Sequence, residues 1–135
     1  MIPIFALALG AAAAWLPAPG DRPVEPDLSP GVSWELARHR AGTISDLRYD
    51  LRLSIPEQRT EPIQGRVRIR LRLSDAESPL VLDFRKPPDR IAAVRVGEYA
   101  VDYDVVNGHI VLPPEALREG ENHLDIEFTA GDEPL

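Results

Sequence analysis

Four arginines at every second position, Arg66, Arg68, Arg70 and Arg72, are the densest run of chemically capable side chains in this sequence. A spacing of two places them on one face of a single extended strand. Guanidinium groups in such a row suit three tasks. They can bind an anion or nucleic acid, pair with acids on neighbouring strands to make a charged outer sheet face, or dock against the carboxylates of another domain. Asp50, and Asp125 with Glu127, alternate on other segments and are natural cross-strand partners. No aromatic residues interleave with the arginines, as a nucleic-acid face would want. The formal net charge of −7 also argues against a nucleic-acid partner. A charged outer face and a docking face remain the two main readings of the ladder.

The other reactive side chains are sparse. His39, His109 and His123 stand far apart, and no His-Glu-x-x-His pair occurs, so no zinc set can be assembled from close ligands. The chain has no cysteine, which removes thiol catalysis, cysteine-based zinc sites and a disulfide framework together. No phosphate-binding glycine loop and no Gly-x-Ser-x-Gly elbow is present, and the nine glycines fall at turns and caps. Among 22 acidic residues no catalytic pair can be singled out. Nothing in the spacing supports enzymatic activity in the chain itself, and no cofactor is expected in it.

The elements that position these groups begin after an uncharged head. Residues 1–18 contain no charged side chain, and every Lys, Arg, Asp and Glu lies after Gly20. Phe5 to Trp15 supplies an apolar centre, with Ala12 and Ala14, or Ala18, as small residues before a cut. A membrane span wants about 20 apolar residues, and Pro17 with Pro19 shortens this run. The head is therefore expected to be a signal peptide or a short membrane anchor, with membrane contact only if it is retained. Export follows, to the periplasm, cell envelope or extracellular space. Residues 19–32 read as a proline-rich linker.

Residues 33–135 read as one β domain preceded by a short helix. Ser33 is the expected N-cap of a helix from Trp34 to about Ala41, closed by Gly42, with Trp34, Ala37 and Ala41 as its apolar stripe. The period then changes to two. Tyr49, Leu51, Leu53 and Ile55 alternate with polar residues, which predicts a strand with one buried face, ended by Pro56. Val67, Ile69, Leu71 and Leu73 alternate with the arginines in a second strand, antiparallel to the first. Shorter strands are expected at 80–84, 91–96, 99–105, 109–112 and 124–129. Gly97-Glu98, Asn107-Gly108 and Gly120 to Asn122 serve as turns, and one helical turn falls at 113–117. About seven short strands with one wet face each predict a mainly β, antiparallel β-sandwich.

Beyond patterning, the order of several segments resembles the N-terminal domain of the aminopeptidase N-like zinc aminopeptidases. The segments are Glu35 to Leu51, Ile63-Gln64-Gly65-Arg66-Val67, Leu80 to Phe84, Asn107 to Pro113 and Leu117 to Phe128, so the resemblance covers roughly residues 33–130. It implies a saddle-like sandwich, incomplete at its C-terminal side, whose family boundary lies beyond residue 135. Tyr49, Gly65, Asp83, Phe84, Gly120 and Asn122 carry over as structural positions. Catalytic, metal and substrate-contacting residues do not carry over, because the family's Gly-x-Met-Glu-Asn and His-Glu-x-x-His motifs are not in this chain. By resemblance, the chain is the non-catalytic N-terminal domain of an exported zinc-dependent aminopeptidase. It would flank a downstream peptidase domain that holds one zinc ion and meets the peptide substrate. The alternative is a stand-alone envelope β-sandwich module for protein binding or assembly.

Overall fold

The computed structural model describes residues 25–131, so the expectations for residues 1–18 and for the end of the chain lie outside the described residues. The elements are α1 (Trp34–Thr43), β1 (Ile44–Ser54), β2 (Ile63–Leu73), β3 (Leu80–Asp83), β4 (Ile91–Val96), β5 (Tyr99–Ala100), β6 (Asp104–Val106), β7 (His109–Leu112) and β8 (Gly120–Gly131). They form two antiparallel sheets. One has five strands in the order β1-β2-β8-β4-β5, and the other has three in the order β3-β7-β6. The architecture is mainly β and sandwich-like.

Local chemistry explains most boundaries. The Ser33 hydroxyl accepts a hydrogen bond from Leu36 N–H at 3.1 Å and caps α1, with Glu35 in the first turn and Arg40 in the last to complement the helix dipole. Gly42 does not close the helix. Ile44 N–H still donates to the Arg40 carbonyl, and the chain passes from Thr43 straight into β1. The expected stripe is also corrected. Leu36 is the buried residue, while Trp34 is 72% exposed, because the helix meets the body through Leu36 beside Leu73, Leu80 and Val81 and does not lie flat on a sheet.

Asn107 and Gly108 both have positive φ, 51° and 84°, which matches the twist of a tight hairpin between β6 and β7. The run 99–105 is not one strand. It divides into β5 on the large sheet and β6 on the small one, and the chain crosses between layers at 101–103. Gly120 to Asn122 likewise belong to β8, not to a free turn, since Leu73 pairs with Gly120 and Leu71 with Asn122. Gly120 turns the chain at the first strand residue with φ 86°.

The core lies where the small sheet covers β2, β8 and β4. Ile69, Leu71, Leu124, Ile126 and Val94 from the large sheet meet Leu80, Ile110 and Leu112 from the small one. Each such side chain contributes about 1.5–3 kcal/mol by leaving water. The expected buried face of β1 is corrected here. From β1 only Ile44 packs against the core, and Tyr49, Leu51, Leu53 and Ile55 are 62%, 57%, 49% and 73% exposed. Three strands do not reach across five, so the apolar face of the edge strand β1 stays open.

Candidate functional site

Between the open face of β1 and the edge strand β3 runs a groove of about 500 Å3. Leu47 and Tyr49 form one wall, Val81, Leu82 and Phe84 form the other, and Phe128 contributes from β8. Phe84 and Phe128 meet edge to face with centroids 5.9 Å apart, a favoured aromatic geometry. Gly65 lies under this pair. A Cβ at that position would fall inside contact distance of the Phe128 ring, so the ring occupies the space a side chain would take. Tyr49, Asp83 and Phe84 thus line one groove, and Gly65 adjoins it only through the Phe128 ring.

Asp83 closes one end of it. Arg40 Nη1 and Nη2 donate to Asp83 Oδ2 and Oδ1 at 3.0 and 2.8 Å, a fork that ties α1 to β3. Asp83 pairs directly with His109 on β7, whose Nδ1 lies 3.0 Å from Asp83 Oδ1 and whose Nε2 lies 3.1 Å from the Ser29 carbonyl. The hydrogen bond from Arg40 is the main cause that holds the Asp83 carboxyl below its ordinary value, with burial opposing and His109 adding a smaller pull. Asn107 Nδ2 donates to the Leu28 carbonyl at 2.9 Å. The segment 25–32 has neither helix nor strand, yet these contacts fasten it to the β6–β7 hairpin. Arg40 Nε is buried with no hydrogen-bond partner among the described residues.

Asn122 and Gly120 sit elsewhere, at the start of β8. The Asn122 side chain is 2% exposed, accepts from Arg118 N–H at 3.1 Å and donates to the Arg118 and Gly120 carbonyls at 2.7 and 3.1 Å. It staples the preceding loop to the strand.

The arginine ladder stands on the other, outward face of the large sheet. Arg66 forks onto Asp125, with Nε donating at 2.8 Å, and Arg68 Nε reaches the same carboxylate at 3.3 Å. Those bonds, Arg66 first, lower the Asp125 carboxyl and raise the Arg66 guanidinium from their ordinary values. Arg95 pairs with Glu127 at 3.0 Å and Arg72 lies 3.9 Å from Asp46. The acids of β8 therefore engage half of the ladder.

Chemically the groove offers apolar contact and one charged end. Among the described residues no group of three or more His, Cys, Asp or Glu side chains is arranged to hold a metal ion. Also among them, no helix is long and apolar enough to cross a membrane. Sequence reasoning missed Arg40 and His109 as partners of Asp83. Arg40 lies 43 residues from Asp83, and the sequence gives no local signal of the contact. Comparison with models of known protein families and with curated proteins finds no match to this chain.

Proposed function

We propose that this chain is the non-catalytic N-terminal β domain of an exported zinc-dependent aminopeptidase, supporting and flanking a peptidase domain supplied by further polypeptide. The observation that carries this reading is the open apolar face of β1, where Tyr49, Leu51 and Leu53, with Ile55 just past the strand end, are about half exposed or more. Exposed apolar surface of this continuity is a covering site for other protein. A stand-alone module would be expected to cover that face itself.

The resemblance to aminopeptidase N-like domains supplies the identity of the partner, and three of the positions it named make structural contacts. Gly65 seats Phe128, Asp83 joins Arg40 to His109, and Asn122 staples the β8 entry. In this reading the zinc ion, the general base and the peptide-binding residues all belong to the peptidase domain. The uncharged residues 1–18 serve for export to the periplasm, envelope or exterior.

Sequencing the coding DNA beyond the Leu135 codon tests the reading. An open frame running into Gly-x-Met-Glu-Asn and then His-Glu-x-x-His is the expected result. A stop at codon 136 overturns it in favour of an envelope module that binds other proteins.

A further inference from the structure

The pairing register sorts the outward face of the large sheet into cross-strand rows. One row is Ser45, Arg72 and Glu121. The next is Arg48, Arg70 and His123. Then follow Asp50, Arg68, Asp125 and Arg95, and after them Arg52, Arg66, Glu127 and Ala93. Every row that carries a base also carries an acid, except that of Arg48, Arg70 and His123.

Like charges directly opposite in a sheet destabilise it, with Cβ atoms about 4.5–5.5 Å apart. Arg48 and Arg70 are such a pair, both exposed, and neither guanidinium has a hydrogen bond or ion pair among the described residues. Glu121 feels the charge of Arg70, but its Oε1 lies 2.7 Å from His123 Nε2 and is engaged there. The two guanidiniums border a shallow depression floored in part by Gly97, which projects no side chain.

We infer that Arg48 and Arg70 form a two-armed receptor for one carboxylate, supplied by an Asp or Glu side chain of a protein docked on this face. Two forks from adjacent strands match the two oxygens of one carboxylate. Asp50 and Asp125 in the flanking row, and Glu121 beyond the other side, disfavour a dianion such as phosphate and leave room for a single negative charge. Two exposed guanidiniums hold a free ion weakly, so the carboxylate must arrive on a surface that makes further contacts.

The test follows the arginine Nε–Hε NMR signals of the full chain at constant ionic strength. The probes are sodium acetate, sodium phosphate and the blocked tripeptide acetyl-Gly-Glu-Gly-amide. The expected result is a saturable shift of the Arg48 and Arg70 signals with acetate and tripeptide, larger than that of Arg66, Arg68 and Arg72. Arg70→Gln should weaken it at least about tenfold. Arg48→Glu, which supplies the carboxylate in place, should abolish the response and raise the thermal midpoint by about 3 °C. Equal shifts across the ladder, or an unchanged response in Arg70→Gln, overturn the site. A stronger response to phosphate overturns the carboxylate assignment, and a response to acetate without the tripeptide overturns the protein source.

Discussion

His109 and Asp83 face each other across β7 and β3 at 3.0 Å, and the other ring nitrogen of His109 points at the Ser29 carbonyl. A carboxylate and a carbonyl both only accept, so both contacts are hydrogen bonds when each ring nitrogen carries a proton. With Arg40 on the far side of Asp83, one carboxylate joins α1, β3 and β7, and His109 extends the link to the segment before the helix.

This arrangement sets an acid limit on stability. Asp83 is held below its ordinary carboxyl value in the fold, first by the Arg40 hydrogen bond. A depressed folded value means the stabilisation is present above the unfolded value of 3.8 and is lost as pH falls through the folded one. Thermal midpoints measured from pH 6 downward should fall below about pH 4. Asp83→Asn should be less stable at pH 6 and show a flatter fall, with Asp125, Glu121 and Asp27 contributing to what remains, since their carboxyls are lowered in the same direction.

Gly65 tests the packing of the groove. Gly65→Ala drives a methyl into the Phe128 ring and should cost about 1–3 kcal/mol in urea unfolding. Adding Phe128→Leu should recover part of that loss, a coupling that two independent sites would not show.

Asn122 is a buried amide with donor and acceptor both in use. Asn122→Ala should cost about 1–3 kcal/mol by leaving backbone groups of Arg118 unpaired. Asn122→Asp aims a carboxylate at the Arg118 and Gly120 carbonyls. It should be worse at pH 7 than at pH 4, measured by the urea midpoint.

Leu51 and Leu71 distinguish an open face from a covered one. Leu71, 1% exposed, should cost about 2–5 kcal/mol when cut to alanine. Leu51→Thr in the same domain should change stability by less than about 0.5 kcal/mol. It should also lower binding of an apolar dye, read by fluorescence.

Strand alternation was legible in the sequence, but coverage was not. β1 and β2 carry the same alternation of apolar and charged residues, yet Leu71 is buried and Leu51 is open. Periodicity reports that a strand is amphipathic; what lies over it depends on sheet order, which is non-sequential here. The Ser33 cap and the Asn107-Gly108 hairpin were readable because their chemistry is local. The helix face was not, since Trp34 outweighs Leu36 in a stripe count while only Leu36 reaches the body. The arginine ladder could be placed on one face from spacing alone. Its division into engaged and unengaged residues required the register with β8, and the Asp83 cluster required contacts spanning 26 to 80 residues.

The place of β8 governs when this fold can exist during synthesis. β8 is the last strand described, yet it sits between β2 and β4 in the middle of the large sheet. The β1–β2 hairpin and the β4–β5 hairpin can each form early, but no strand pairing joins them until the residues from Gly120 onward are available. Until then both β2 and β4 offer an unpaired edge to any neighbouring nascent chain. A pause in translation before Gly120 therefore exposes more aggregation-prone edge than the finished domain does, and chaperone demand should peak in that interval.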